Sequence, residues 1–114
     1  MYNKVGDYVK KSSQLMKGII EGVVLKIISE NETYGYEIYQ KLNELGFDDF
    51  SEGSLYPLLL RLERKNYINS IKRQSPLGPD RKYYFLTNEG IEILESFKGE
   101  WFKLKNNMDK LWGE

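Results

Sequence analysis

The sequence contains neither cysteine nor histidine among its 114 residues. Without cysteine, the chain has no disulfide framework, no thiolate metal site and no cysteine nucleophile. Without histidine, it lacks the commonest general base and the commonest metal ligand in proteins. An active site built from Asp, Glu, Lys and Tyr alone is still conceivable, but no such set of groups stands out. We therefore expect a protein that is not an enzyme and that holds no metal and no cofactor.

Long apolar runs are missing as well. A helix that crosses a membrane needs roughly 20 predominantly apolar residues, and no stretch approaches that length. The segment from Met1 to Asp7 does not have the pattern of a signal peptide. With 40% hydrophobic and 30% charged residues, the composition is that of a small globular domain. We expect a single-domain cytoplasmic protein without a membrane partner.

The formal net charge is zero, but the charges are unevenly distributed. Residues 61–82 carry seven basic and two acidic side chains, whereas the segments before and after them are net acidic. A local excess of positive charge on a short segment is typical of a site for a polyanion, although a chance cluster would give the same pattern.

Two helices are predicted in the first 46 residues. Apolar residues recur at three- and four-residue steps from about Ser12 to Ile28, over an arc wider than one buried face requires. Part of this helix, including Ile19 and Val23, is therefore expected to pack against a second subunit. Residues 1–11 are either an arm or the start of this helix. A second helix is predicted at about 34–45, with Ile38, Tyr39, Leu42 and Leu45 facing inward.

The segment from Ser51 to Lys65 predicts a third helix with two different faces. Leu55, Leu58, Leu59 and Leu62 form one apolar stripe, and Ser51 is a suitable N-cap. The opposite side carries Tyr56, Pro57, Arg61, Arg64 and Lys65. We interpret this side as a surface for DNA, and the alternative is an ordinary solvated face. Because only a short link separates the second and third helices, the arrangement is a helix-turn-helix.

A β-hairpin is predicted after the third helix. Residues 67–74 and 81–86 are rich in aromatic and β-branched residues, and the segment 75–80 between them contains two prolines and a glycine. Lys72, Arg73, Arg81 and Lys82 lie on both sides of this loop. A basic hairpin that follows a helix-turn-helix is a wing, although a plain surface hairpin would have the same periodicity.

The C-terminal segment predicts a long helix that begins after Thr87. Its apolar residues follow at steps of three and four, close to the 3.5-residue repeat of a helix that packs along another helix. The predicted seam consists of Leu94, Phe97, Trp101, Leu104, Met108 and Leu111, preceded by Ile91. We favour a homodimer seam over a helix that covers its own core. The predicted division is a winged helix-turn-helix domain at 1–87 and a dimerisation helix at 88–114, in a mainly α fold with a small β-hairpin.

The order of these elements resembles the PadR family of winged-helix transcriptional regulators. The resemblance lies in Tyr34–Ile38, Gly53–Leu59, Arg61–Glu63 and Asp80–Gly90. It implies a homodimeric repressor that binds double-stranded DNA at an inverted repeat, with the third helix in the major groove. Two positions depart from the family pattern: Leu60 stands where a basic or polar residue is common, and Asn66 where glycine is common.

Carried over position by position, the resemblance implies a set of DNA-contacting residues. On the helix-turn-helix these are Tyr34, Tyr36, Ser54, Tyr56, Pro57, Arg61 and Lys65, and on the wing they are Arg73, Arg81 and Lys82. Some compact family members also bind flat aromatic or cationic drugs between the last helices of the two subunits, which implies an effector site at Trp101 with Met16. The alternative is that Trp101 is a dimer-core anchor. The alternative function is a winged-helix protein-interaction module that does not bind DNA.

Overall fold

The computed structural model describes residues 14–48 and 50–113. The helices within these residues are α1 (Ile20–Glu30), α2 (Gly35–Glu44), α3 (Glu52–Arg64) and α4 (Asn88–Trp112), and the strands are β1 (Thr33–Tyr34), β2 (Ile68–Ser75) and β3 (Gly78–Leu86). The proposed arm at 1–11 lies outside the described residues.

The first helix is interrupted where the sequence predicted a continuous one. Residues 14–17 form a separate helical turn, and α1 begins only at Ile20. At the break, the Gly18 N–H donates to the Leu15 carbonyl at 3.2 Å and the Ile19 N–H donates to the Met16 carbonyl at 3.0 Å. These bonds span three residues, as in a 3₁₀ turn, and Gly18 has low helix propensity. The predicted start near Ser12 falls outside the described residues.

The core lies where α1, α2 and α3 meet the sheet. The predicted leucine stripe of α3 is confirmed, because Leu55, Leu58, Leu59 and Leu62 are all buried. Ile38 and Leu42 of α2 are buried as expected, but the prediction for Leu45 is wrong, since its side chain is 53% exposed. Leu45 follows the last residue of α2, and Gly46 turns the chain away with a φ of +95°.

The sheet has one more strand than the sequence predicted. The strand β1 is only two residues long and pairs antiparallel with β3, with Thr33 opposite Tyr84. The strand order is therefore β1-β3-β2, and β2 and β3 form the predicted hairpin. A two-residue strand has too few residues to show an alternating pattern, so the sequence carried no signal for it.

The hairpin loop is shorter than predicted. The sequence indicated a loop at 75–80, but Ser75 already pairs with Gly78, and only residues 76–77 connect the strands. The register shifts between this pair and the Arg73–Arg81 pair, which places Pro79 in an irregular part of the ladder. Proline is tolerated there because no ladder N–H is required of it.

The last helix is joined firmly to the end of α3 and to α1. The Thr87 hydroxyl accepts a hydrogen bond from the Gly90 N–H at 2.9 Å, as expected of a cap, and donates to the Asn66 carbonyl at 2.7 Å. Asn66 itself has a φ of +65°, the left-handed conformation that asparagine tolerates. Farther along, the Phe97 ring lies so close to Gly22 that a Cβ there would meet it at 2.3 Å.

Beyond Phe97, α4 is largely exposed. Residues 98–113 are exposed apart from the half-buried Asp109. The mainly helical architecture with a helix-turn-helix, a wing and a long final helix confirms the predicted winged-helix fold.

Candidate nucleic-acid interface

The outer face of α3 is a continuous exposed stripe. Its exposed residues recur at steps of three and one, which is the spacing of one helix face: Gly53, Tyr56, Pro57, Leu60, Arg61 and Arg64. Leu60 lies near the middle of this stripe, so the part of the helix that faces away from the core is less basic than the composition of the segment suggested. Two clefts border the stripe.

The first cleft, of about 360 Å³, lies between α3 and the wing. It brings together several predicted DNA-contacting residues from distant parts of the sequence, because its lining consists of Tyr34, Gly35, Tyr56, Leu60, Asp80, Arg81, Lys82 and Tyr84. The Tyr56 ring lies against Gly35, where a Cβ would meet it at 2.7 Å. A glycine at this position therefore allows Tyr56 to occupy its place beside the wing.

Two phenols of this cleft, Tyr56 and Tyr84, have a raised pKa. Partial burial, followed by the charge of Glu52 and a hydrogen bond to it at 3.4 Å, raises the pKa of Tyr56. Burial raises the pKa of Tyr84 to about 12, with a smaller contribution from the Glu63 carboxylate. A phenol is protonated at neutral pH with or without this shift, so the Tyr56 hydroxyl is a hydrogen-bond donor, which suits a phosphate or a base acceptor.

Arginines and tyrosines alternate along one face of the sheet. The Arg81 guanidinium lies 4.5 Å from the centre of the Tyr34 ring, and the Arg73 guanidinium lies 4.8 Å from that of Tyr83. The two rings contact each other edge to face at 5.4 Å. Cation–π contacts of this kind orient the guanidinium groups while leaving their N–H donors available.

Like charges face each other across the wing. The register places Lys72 opposite Lys82 and Arg73 opposite Arg81, in two consecutive cross-strand pairs. Like-charged residues directly opposite one another destabilise a sheet. The wing therefore has a concentration of positive charge that would be relieved by an anionic partner.

The second cleft lies on the α1 side of α3. Ser54, Pro57 and Arg61 line it together with Lys17. Glu21 of α1 reaches the same edge of α3: Arg61 Nε donates to it at 3.0 Å and Lys65 Nζ donates to it at 3.2 Å. Arg61 and Lys65 thus lie at the edge of the stripe and share a carboxylate of their own chain.

Two wing cations also contact acidic groups. Lys82 Nζ lies 3.5 Å from Glu63, which also accepts a hydrogen bond from the Ser70 hydroxyl at 3.1 Å. Arg73 forms an ion pair with Glu32. All of these pairs are substantially exposed, so each contributes little to stability and can exchange for a phosphate partner.

The remaining predicted residues are distributed as follows. Arg64 lies on the exposed stripe of α3, and Tyr36 is exposed at the start of α2 with its ring 6.2 Å from that of Tyr39. Lys72, Tyr83 and the carboxylate partner Glu21 also belong to this surface, and the sequence did not predict them as DNA-contacting residues. The hairpin register identifies Lys72 and Tyr83, and only tertiary packing identifies Glu21.

The predicted dimer residues divide between a half-buried group, of which Val23 and Leu94 pack against the core of their own chain, and an exposed surface. Ile19, Val23, Leu94 and Phe97 are half-buried, and the exposed continuation consists of Trp101, Leu104, Met108 and Leu111. Within the described chain, a cleft of about 370 Å³ beside this surface is lined by Ile19, Phe97, Trp101 and Leu104 but not by Met16. Trp101 therefore lines this cleft. Met16, which is half-buried and lies three residues before Ile19, does not.

Two negative observations apply to the described part of the chain only. Residues 14–48 and 50–113 contain no group of three or more acidic side chains arranged to hold a metal ion. None of the helices in these ranges combines the length and the apolar character needed to cross a bilayer.

The fold and the basic wing define a winged-helix protein of the kind found in transcriptional regulators. The model of the "Transcriptional regulator PadR-like family" matches residues 24–96, and the chain belongs to this family.

Solved structures agree with the assignment. A PadR-like transcriptional regulator from Bacillus cereus is 46% identical, with 89% of this chain and 98% of that chain covered and a TM-score of 0.81. A PadR family regulator from Clostridium difficile is 37% identical, with 82% and 98% covered and a TM-score of 0.75. Bacillus subtilis PadR, solved in complex with operator DNA, is 23% identical, with 69% and 46% covered and a TM-score of 0.64, a likeness of fold.

Proposed function

We propose that this protein is a homodimeric transcriptional repressor that recognises an inverted-repeat operator through α3 and the wing. The single observation that carries the proposal is the pair of like-charged cross-strand contacts, Lys72 with Lys82 and Arg73 with Arg81, beside the exposed stripe of α3. A folded protein gains nothing in stability from this arrangement. Glu63 and Glu32 offset part of this charge through exposed ion pairs with Lys82 and Arg73, and a duplex phosphate backbone supplies further negative charge.

The basic wing and the outer face of α3 have different roles in this proposal. The wing cations and Lys65 contact phosphates and hold the protein on the duplex, and the outer face of α3 reads base edges in the major groove. Tyr34 and Tyr36 at the start of α2, with Ser54 and Pro57 of α3, complete the contact surface. The complex of Bacillus subtilis PadR with operator DNA supports this use of the fold.

Dimerisation supplies the symmetry of the operator. The apolar stripe of α4 is exposed in the single chain, and a second α4 running alongside it would bury Trp101, Leu104, Met108 and Leu111. Two recognition helices related by a two-fold axis meet successive major grooves roughly 34 Å apart. A flat aromatic effector in the cleft beside Trp101 would change the spacing by binding one arrangement of the two subunits better than the other.

Selection of bound duplexes from a random pool tests this function. Enrichment of a palindrome with half-sites about one helical turn apart is expected, with affinity that falls steeply as salt rises. A pool that shows no enrichment, with no gel shift at low salt, contradicts the proposal.

One observation favours a second candidate function. Arg61, Lys65, Arg73 and Lys82 each contact a carboxylate of their own chain. Such pairs lower the positive electrostatic potential of the surface and so weaken its attraction for DNA. A winged helix that binds another protein does not need that attraction. Binding at about 0.15 M salt that is about 1,000-fold tighter for the selected duplex than for a scrambled one would contradict this alternative, because non-specific attraction does not distinguish the two duplexes.

A further inference from the structure

We propose that Leu60 determines sequence preference by contacting the C5 methyl group of a thymine in the major groove. This inference rests on the proposed function, since it names one base contact of the same interface. The proposed contact is apolar, in addition to the polar contacts expected of the arginines of α3.

The position of Leu60 on α3 supports this assignment. Its side chain is 48% exposed although its neighbours Leu59 and Leu62 are almost completely buried. Tyr56 lies one turn before it and Arg64 one turn after it, and both are exposed. A helix that lies in the groove with this stripe toward the bases therefore brings Leu60 to the groove floor.

The surroundings of Leu60 separate it from the phosphate-binding part of the surface. It lines the cleft together with Tyr34 and Tyr56, and the charged residues of that cleft, Asp80, Arg81 and Lys82, all come from the wing. The wing cations therefore lie to one side of Leu60, and Glu21 holds Arg61 and Lys65 toward α1 on the other side. The central position is left to a side chain that can neither donate nor accept a hydrogen bond.

The chemical groups on the base edges determine which base Leu60 prefers. In the major groove, the bases present hydrogen-bond donors and acceptors, and thymine also presents an apolar C5 methyl group. An aliphatic side chain gains free energy from that methyl group and leaves the polar edges of other bases without a partner. Leu60 therefore favours thymine at one position of each half-site.

Uracil substitution in the operator is the direct test. The operator from the random-pool selection is synthesised with each thymine of one half-site replaced in turn by deoxyuridine, which removes only the methyl group. We expect one position at which the Kd measured by fluorescence anisotropy rises about fourfold, as for the loss of one buried methylene-sized group.

A double-mutant cycle assigns that effect to Leu60. Leu60→Ala should weaken binding to the natural operator but bind the deoxyuridine duplex and the thymine duplex equally well, so that the two changes are not additive. Leu60→Met, which keeps an apolar side chain of similar length, should retain most of the discrimination. Leu45→Ala is the matched control, because Leu45 is 53% exposed and lies at the opposite end of α2 from Tyr36.

Additive losses at every thymine, or a deoxyuridine effect of unchanged size in Leu60→Ala, would overturn the assignment while leaving DNA binding intact. Failure of the unmodified protein to enrich any duplex would overturn the proposed function itself, and the inference with it. The two failures are therefore distinguishable.

Discussion

At the scale of single residues, Gly35 controls the position of Tyr56. The Tyr56 ring occupies the space that a Cβ at position 35 would need. The end of a tyrosine side chain can move aside, so a larger residue at 35 would displace the ring without disrupting the core. Position 35 is therefore a place where stability and DNA binding can be separated.

Gly35→Ala is expected to weaken operator binding about as much as Tyr56→Ala, while the free energy of unfolding stays the same or rises by up to about 1 kcal/mol because alanine favours the helix. Anisotropy titrations and urea unfolding measure the two quantities. Gly99→Ala is the control, since a Cβ there meets no atom within 4 Å. A large loss of stability in Gly35→Ala would contradict this explanation.

Glu21 is a second residue whose effect on binding is opposite in sign to its effect on stability. Its carboxylate forms ion pairs with Arg61 and Lys65, and in the proposed complex it would compete with phosphate for both. The pairs are exposed, so their loss costs at most about 1 kcal/mol.

Glu21→Gln should therefore tighten binding to DNA of any sequence and steepen its salt dependence. Glu92→Gln removes the same charge from an exposed position of α4 and should change neither quantity. If Glu21→Gln bound more weakly than the unmodified protein, Glu21 would instead be positioning Arg61 and Lys65 for contact.

At the scale of elements, the wing combines low intrinsic stability with high positive charge. Lys72→Gln removes one like-charged cross-strand pair, so the free energy of unfolding should rise by about 0.2–1 kcal/mol. The same change should reduce the slope of log K against log salt by about 0.9 for each protomer's lost phosphate contact.

Lys98→Gln on the exposed surface of α4 is the matched control for Lys72→Gln, and it should leave the slope unchanged. A Lys72→Gln variant with reduced stability would show that the register does not produce the expected repulsion.

The sheet should also lose stability at alkaline pH because of Tyr84. Burial raises its pKa from 10.0 to about 12 in the folded state. The folded state therefore holds the phenolic proton more tightly, and this contribution to stability is complete below pH 10 and is lost as pH rises toward 12. Urea unfolding between pH 9 and 11.5 should show a steeper decline for the unmodified protein than for Tyr84→Phe. Equal declines would contradict the assignment.

Periodicity and capping were sufficient to predict the helices, the hairpin and their order. The leucine stripe of α3 and the caps at Ser51 and Thr87 are local patterns that packing preserved. Local patterns could not predict β1, which exists because Thr33 pairs with Tyr84, far away in the sequence.

The surface of the candidate site was less predictable from the sequence than the core. The basic residues were identifiable by type, but their partners Glu21, Glu32 and Glu63 depend on tertiary packing. Similarly, the break at Gly18 and the exposure of Leu45 depend on backbone hydrogen bonds at the helix ends, which residue periodicity does not predict.

At the scale of the whole molecule, the far half of α4 carries an apolar stripe that is exposed in the described part of the chain. Trp101 is 41% exposed and Leu111 is 72% exposed on a helix that otherwise carries charged residues. Aromatic residues near the centre of an interface commonly contribute the most to association.

Trp101→Ala is expected to weaken the proposed dimer by about 2 kcal/mol or more. Sedimentation velocity over a range of concentrations measures the change, with Leu77→Ala as a control because Leu77 is 99% exposed at the tip of the wing. A monomeric unmodified protein at micromolar concentration would contradict both the dimer and the symmetric operator.

The bond from the Thr87 hydroxyl to the Asn66 carbonyl gives the molecule a mechanical property. Because Asn66 lies two residues beyond the end of α3, this bond fastens the start of α4 to the turn that follows α3, and the long helix acts as a lever arm with its pivot at that turn. Its 25 residues span roughly 37 Å, so a tilt of about 5° shifts its distal end by about 3 Å. In the proposed dimer, a small change in how the two α4 helices pack would therefore rotate the winged-helix domain of each subunit.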